Sequence, residues 1–270
     1  MAEKNFAAIL KTGFDRIITS KYGAYVPPNP IVTPLGIRHL DAILGSGVTS
    51  SAYVFLSSTP ETGKSTTALQ ICATFQRTHK DSLCVYIDAE SAAGGESPDI
   101  QDRIQTFGID RETFLYIPVV MDIKQTFEMI KSFVETKREL REKTQTNCHL
   151  CIVWDSIAST PSSKDLDAED VNSVIGFKAR ELTFELNKNK VILAMEQVTC
   201  IVIDQVRDNI QLKMPWQIAA EEKSVGVFGN MKSATNIKAL QHAVRQWLYL
   251  SKGETLLPVD PMGIDGWVIA

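Results

Sequence analysis

The stretch that most constrains this chain is residues 57–66, which reads Ser-Ser-Thr-Pro-Glu-Thr-Gly-Lys-Ser-Thr. It follows an apolar run at residues 52–56 and precedes a helix-like segment at residues 67–75. A strand, a tight loop ending in Gly-Lys-Ser and a helix form the context that a phosphate-binding P-loop requires. Backbone N–H groups of such a loop, and of the helix N-terminus behind it, point at phosphate oxygens. The sequence therefore predicts a P-loop at this position.

The loop residues have separate predicted roles. Lys64 is expected to reach the β- and γ-phosphates of a bound nucleotide, and the Ser65 hydroxyl to bind Mg²⁺. Ser58 stands where the usual motif has its first glycine, five positions before Gly63. Because glycine adopts positive φ and lets the backbone approach a phosphate, we expect this serine to strain the loop or weaken nucleotide binding. The loop residues predicted to bind nucleotide are Ser58, Thr59, Pro60, Glu61, Thr62, Gly63, Lys64, Ser65 and Thr66.

The rest of the chain alternates apolar runs with helical patterns. Further strands are predicted at residues 83–87, 114–119, 150–156, 200–205, 244–250 and 266–269. Helices are predicted at residues 98–107, 122–143, 168–198 (interrupted near 187–190) and 234–243. Near-continuous apolar strands between helices predict an α/β fold with a mostly parallel central sheet and helices on both faces. Ligands of such sheets bind at the carboxyl ends of the strands.

Polar side chains follow several of these strands at that end. Asp155 is expected to hold Mg²⁺ beside the P-loop. Glu90 is expected to be the general base that activates a water molecule, and the alternative is a loop cap made by Asp88 or Glu90. Gln205, whose amide both donates and accepts, is placed to sense the γ-phosphate and pass its state to the segment that follows.

That following segment, residues 207–233, lacks regular periodicity and mixes basic with aromatic residues. Phosphates meet basic groups and bases meet aromatic rings when single-stranded nucleic acid is bound. Acidic residues nearly balance the basic ones, and the chain's net charge of -4 excludes binding of nucleic acid by bulk charge. A local patch is therefore required. Its candidate residues are Lys213, Trp216, Lys223, Phe228, Asn230 and Lys232.

Compartment and metal content are predicted from simple absences in the sequence. The chain has no apolar run long enough to span a bilayer and no apolar core of a signal peptide near its start, so we expect it in the cytoplasm of a bacterium or of an infected host cell.

Its five cysteines are predicted to be reduced and buried. Cys148 and Cys151 resemble half of a zinc site, but no second half follows, so zinc is not expected.

Residues 1–30 are predicted to be an arm, formed by an amphipathic helix and a proline-rich linker, and residues 31–270 a single core. A helix separated from the core by such a linker either packs on a partner or folds back on its own domain.

Six segments together resemble the RecA family of recombinases, most closely those of bacterial viruses. In chain order they are residues 33–47, 60–66, 86–90, 153–156, 203–207 and 228–230. The resemblance covers roughly residues 31–250. It implies a RecA-like P-loop core that binds ATP and Mg²⁺, forms a helical filament on single-stranded DNA, and performs homologous pairing and strand exchange in DNA repair. It also implies that the N-terminal arm docks on the neighbouring subunit.

The resemblance assigns further roles by position. It implies that Glu90 is the catalytic glutamate, Asp155 the Walker B carboxylate and Gln205 the link between γ-phosphate and DNA. Arg103 matches a residue that stacks on adenine, and Arg207 matches a DNA-contacting arginine. Two loops, at about residues 160–170 and 207–233, match the DNA-binding loops of the family.

The chain departs from the family at Ser58 and at its end. Members of the family continue with more sheet and with basic residues that act on the neighbour's ATP, whereas this sequence stops at Ala270. We therefore expect a shortened core in which nucleotide binding can persist without hydrolysis. Two alternatives stay open: a ring ATPase or helicase of the same fold, and an ATP-gated DNA-binding module without significant hydrolysis.

Overall fold

The computed structural model describes residues 28–90, 98–165, 176–205 and 244–251, together with residues 10, 12–14 and 16. The strands are β1 (Val32–Thr33), β2 (Val48–Thr49), β3 (Ala52–Ser58), β4 (Ser82–Asp88), β5 (Phe114–Pro118), β6 (His149–Asp155), β7 (Thr199–Gln205) and β8 (Val244–Leu250). The helices are α1 (Arg38–Ile43), α2 (Lys64–Thr78), α3 (Pro98–Phe107), α4 (Ile123–Thr144) and α5 (Phe177–Met195), with a short 3₁₀ turn at Arg111–Thr113.

The central sheet has six strands in the order β5-β4-β6-β7-β3-β8, and every neighbouring pair is parallel. The predicted parallel α/β fold is therefore confirmed, with a separate antiparallel pair of β1 and β2 beside it. Because all six strands run the same way, their carboxyl ends lie at one edge of the sheet. The register places Ser58 beside Gln205 and Asp88 beside Asp155 at that edge.

Two apolar cores cover the two faces of the sheet. Successive side chains of a strand point to opposite faces, so Val54 and Leu56 of β3 lie in one core while Tyr53 and Phe55 lie in the other. The first core packs the sheet against α2 and α3. The second packs it against α4 and α5. Helices on both faces were predicted, and they explain why the strands are apolar throughout.

Local signals in the sequence explain several element boundaries. Helix α4 begins after Asp122, whose carboxylate accepts a hydrogen bond from the Gln125 amide at 2.7 Å, while the Gln125 side chain accepts one from the Asp122 amide at 3.1 Å. Such a capping box stabilises a helix by about 1 kcal/mol. Helix α3 ends before Gly108, which has a φ of 64°.

The predicted interruption near residues 187–190 is wrong, since α5 is continuous from Phe177 to Met195. The sequence there is polar, but Asn189 is buried and its side chain donates to the Glu185 carbonyl at 2.9 Å and to the Glu185 carboxylate at 3.1 Å. This polar pair fits inside the helix because its hydrogen bonds are satisfied one turn apart. The strand predicted at residues 266–269 and the helix at 234–243 lie outside the described residues, as does almost all of the N-terminal arm.

Within the part of the chain that the structure describes, no helix is both long and apolar enough to cross a membrane.

Candidate functional site

The P-loop joins the carboxyl end of β3 to the first turn of α2. Gly63 precedes the helix in a left-handed conformation, with a φ of 90°, which L side chains rarely adopt. Ser58 is instead the last residue of β3, paired on both sides with Gln205 and Leu250, and its φ is not positive. The strain predicted at Ser58 is therefore wrong, because strand pairing keeps this residue extended and the chain turns later, with Glu61 at a φ of 59°.

Ser58 nevertheless changes the surroundings of Lys64. The Lys64 ammonium donates to the Ser58 hydroxyl and to the Thr59 carbonyl, both at 2.9 Å, and the Ser58 hydroxyl also hydrogen-bonds with Thr62. Only 7% of Lys64 is exposed. Burial lowers its pKa, and the nearby carboxylates of Asp155 and Glu90 oppose that shift. The amine is thus held by a hydroxyl that a glycine at position 58 would not provide.

Asp155 ends β6 and lies against the first turn of α2. Its Oδ2 accepts hydrogen bonds from the Ser65 hydroxyl at 2.6 Å and from the Tyr86 hydroxyl at 2.5 Å. Burial raises the pKa of Asp155 to about 6, although these two hydrogen bonds act in the opposite direction. A hydroxyl and a carboxylate oxygen side by side are the ligands that Mg²⁺ prefers, so Ser65 and Asp155 fit the predicted metal site.

Glu90 lies at the centre of a second cluster at the same sheet edge. Its Oε1 accepts from the Ser156 hydroxyl at 2.7 Å, the Ser159 hydroxyl at 3.1 Å and the Gln205 amide at 2.7 Å. The loop cap weighed as the alternative role is made by Asp88, whose Oδ1 accepts from the Glu90 amide at 2.9 Å. The Glu90 side chain is therefore directed to the polar cluster and not to the loop backbone.

A cavity of about 440 Å³ opens in front of these groups. It is lined by Pro60, Glu61, Thr62, Gly63, Lys64, Ser65, Thr66, Glu90, Arg103, Asp155 and Gln205. The structure thus brings together most of the residues predicted for catalysis, metal and nucleotide. Ser58 and Thr59 are the exceptions, since neither lines the cavity, and Ser58 is fully buried.

Two contributors to the site were not predicted. Tyr86 was seen as an apolar strand residue, yet its hydroxyl holds Asp155 from the neighbouring strand. Ser159 follows Ser156 by one turn and points to the same carboxylate oxygen. The spacing of three residues between Ser156 and Ser159 was the sequence signal that could have predicted this contact. The predicted DNA-binding residues lie outside the described part of the chain; they are Arg207, Lys213, Trp216, Lys223, Phe228, Asn230 and Lys232.

A parallel sheet with a Gly-Lys-Ser loop between β3 and α2, and an aspartate at the end of a nearby strand, defines a P-loop α/β domain. The sequence profile of the RecA N-terminal domain matches residues 29–226, and the chain belongs to this family. The predicted RecA-like core is thereby confirmed.

Individual relatives agree with the family. Protein RecA of Bifidobacterium longum is 25% identical over 250 residues, which are 92% of this chain and 55% of the relative. Protein RecA of Mycoplasma genitalium is 29% identical over 207 residues, which are 76% of this chain and 51% of the relative. The chain therefore spans about half the length of the curated relatives it matches. The closer similarity to recombinases of bacterial viruses stays a prediction.

Proposed function

We propose that this chain is an ATP-dependent recombinase core that binds single-stranded DNA and hydrolyses ATP at its P-loop, acting in homologous pairing, strand exchange and DNA repair. The observation that carries the proposal is the convergence of Lys64, Ser65, Glu90 and Asp155 on one cavity beside a P-loop. Membership of the RecA N-terminal domain family supports it.

The described residues fit ATP and Mg²⁺. The α2 N-terminus presents backbone N–H groups to the cavity, and anions are stabilised there. Ser65 and Asp155 would hold the metal ion, which supplies charge neutralisation at the transferred phosphate. The Lys64 amine, now bound to Ser58 and Thr59, would exchange these partners for phosphate oxygens. Arg103 lines the cavity wall, where it would contact the adenine ring.

Glu90 would orient and deprotonate the attacking water. Three donors fix one of its carboxylate oxygens, so the side chain is held in one orientation at the cavity wall. One of those donors is Gln205, the last described residue before the segment at residues 206–243. A single hydrogen bond therefore connects the proposed base with the chain that carries the proposed DNA contacts.

Single-stranded DNA and further copies of this chain are the proposed partners. We place DNA at residues 207–233 with a contribution from about 160–170, and we assign the subunit contact of a helical filament to the N-terminal arm. The proposed compartment is the cytoplasm. These assignments rest on the family and on the sequence pattern described above.

A second candidate is an ATP-gated binding module that turns over slowly. Two observations favour it: Lys64 is held by Ser58, and one oxygen of Glu90 is occupied by three donors. With these hydrogen bonds in place, neither the Lys64 amine nor this Glu90 oxygen is available to act on a bound nucleotide. A closed ring motor is distinguished from an open filament by the shape of the assembly.

The deciding experiment measures ATP hydrolysis with and without single-stranded DNA at two salt concentrations. Turnover that DNA stimulates, and that weakens as salt rises, supports the recombinase core. Turnover indifferent to DNA points to another ATPase of this fold, and binding of ATP without turnover points to the binding module. Lys64→Ala serves as the inactive control, because any activity that remains in it comes from a contaminant.

A further inference from the structure

Three cysteines from three different elements meet in the core beneath the P-loop helix. Cys72 lies on α2, Cys84 on β4 and Cys151 on β6, and their Sγ atoms all lie within 4.8 Å of one another. Cys84 and Cys151 are direct neighbours in the register of the two strands. The neighbours of the group in this core are apolar, and each of the three residues is completely buried.

The group offers sulfur ligands in the number and spacing of a three-coordinate centre. Sulfur ligands lie about 2.3 Å from an ion, which puts three of them at most about 4 Å apart around it. The observed limit of 4.8 Å is close to that value, so a small closing movement is enough. In the part of the chain that the structure describes, no fourth His, Cys, Asp or Glu joins the group.

The missing fourth ligand argues against zinc. Structural zinc is almost always tetrahedral, and a three-ligand zinc site completes its shell with water. The side chains here are fully enclosed by packed residues such as Ile71, Val153 and Ile201. An ion that fits this site must bind three sulfur atoms and must not require a water molecule as a fourth ligand.

The net charge of the complex further restricts which ion can bind to the three cysteines. An uncompensated charge in an apolar interior is strongly unfavourable. Three thiolates around a monovalent or divalent ion leave a net negative charge, whereas a trivalent ion leaves none.

We propose that Cys72, Cys84 and Cys151 form a binding site for a trivalent thiophilic ion, with arsenite as its simplest form. Arsenite, As(OH)₃, reacts with three thiols to give As(SR)₃ and three water molecules. Three As–O bonds break and three As–S bonds form, each thiol proton leaves on a released hydroxide as water, and arsenic stays trivalent. The lone pair of arsenic takes the fourth position, so the complex is neutral and needs no further ligand.

The adduct would connect α2, which begins with Lys64, to β4, which ends two residues before Glu90, and to β6, which ends at Asp155. It touches none of the nucleotide-lining side chains. We therefore expect arsenite to stabilise the fold, and this site is independent of whether the chain hydrolyses ATP.

The test loads the full chain during refolding, because the native core closes the site. The chain is unfolded in denaturant with a phosphine reductant, refolded with arsenite and desalted, and the bound arsenic is measured by mass spectrometry. The expected result is one arsenic per chain, two of five cysteines left reactive after denaturation, and a higher Tm than the untreated protein.

Matched variants separate the site from incidental thiol binding. Cys200→Ala removes a buried cysteine of the other core and should retain one arsenic, whereas Cys84→Ala and Cys151→Ala should lose it together with the rise in Tm. If one of the two triad variants fails to fold, as judged by circular dichroism, the other suffices, because each removes a ligand of the same site. The proposal is overturned if the refolded wild-type chain retains no arsenic, if the triad variants retain as much as Cys200→Ala, or if a parallel refolding with zinc retains zinc in preference.

Discussion

The Ser65 hydroxyl donates a hydrogen bond of 2.6 Å to Oδ2 of Asp155, across 90 positions of sequence. One residue belongs to the first turn of α2 and the other ends β6, two strands away from β3 in the sheet. Their contact joins the Gly-Lys-Ser motif and a separate aspartate into the geometry that we propose binds Mg²⁺. It also locates the rest of the site, since Lys64 and Glu90 line the same cavity.

Replacing Lys64 with alanine should abolish nucleotide binding. The loop would lose the ammonium that its backbone holds at the cavity, and charge-assisted bonds to phosphate are among the stronger polar contacts. Titration with a fluorescent ATP analogue measures the effect. Lys188→Ala is the matched control, because Lys188 pairs with Glu185 on α5, away from the cavity. If Lys64→Ala and Lys188→Ala bind the ATP analogue with equal affinity, the proposed nucleotide site is wrong.

Glu90→Gln should preserve ATP binding and slow hydrolysis by roughly 10²–10⁴-fold, the range that a general base contributes. Glutamine keeps the shape of the side chain and an oxygen for the donors at Ser156 and Ser159, but it cannot accept a proton. Single-turnover hydrolysis and an ATP titration on the same preparation separate the two effects. Unchanged turnover would remove Glu90 from the mechanism.

Ser58→Gly should tighten nucleotide binding by about fivefold. It removes a hydrogen bond to Lys64 that contributes about 1 kcal/mol and competes with phosphate. Glycine in a strand also lowers stability by roughly 0.5–1 kcal/mol. Ser58→Ala removes the hydroxyl without adding backbone freedom, so it should show the gain in affinity with less loss of stability. A gain in the glycine variant alone would assign the effect to the backbone.

Trp216→Ala or Phe228→Ala should weaken binding of single-stranded DNA by about 1–3 kcal/mol for each base that loses a stacking partner. Fluorescence anisotropy with a labelled oligonucleotide provides the measurement. Phe184→Ala is the control, since Phe184 is an exposed aromatic residue on α5. If the Trp216 and Phe228 variants bind DNA as tightly as the wild type and the Phe184 control, the proposed DNA segment is wrong.

The sequence predicted the strands and the P-loop because each is encoded locally, by an apolar run or by a motif of adjacent residues. It could not give contacts that depend on strand register. The hydrogen bond from Tyr86 to Asp155 and the meeting of Cys84 with Cys151 both require β4 and β6 to be aligned residue by residue.

The predicted strain at Ser58 was wrong for a related reason, whereas the predicted weakening of nucleotide binding stays a prediction. Its effect depends on where the turn falls in space, and the turn falls at Glu61 and Gly63. Only the paired neighbours of Ser58 in the sheet show that its side chain, and not its backbone, alters the site.

Glu196 should make the stability of the fold depend on pH. Its carboxylate is 4% exposed and accepts from Arg138 at 2.9 Å and from Arg141 at 2.6 Å, with the Lys137 ammonium 3.8 Å away. Burial alone would raise the pKa of Glu196, but hydrogen bonds and charges of the two arginines outweigh it, so the pKa lies below its usual value of 4.5.

Because the folded pKa of Glu196 is the lower one, the stabilisation is fully present above the unfolded pKa and is lost as pH falls through the folded value. Glu196→Gln should therefore cost about 2 kcal/mol near neutral pH, the range for hydrogen bonds to a charged group. The cost should begin to shrink as pH falls below about 4.5, where the unfolded carboxyl takes up a proton, and should disappear below the lower folded pKa, where the folded carboxyl is neutral as well. Denaturant unfolding of both chains across this range measures the difference, and Glu135→Gln, from an exposed ion pair on α4, is the control. A cost for Glu196→Gln that stays constant with pH would show that shape, and not charge, makes this residue stabilising.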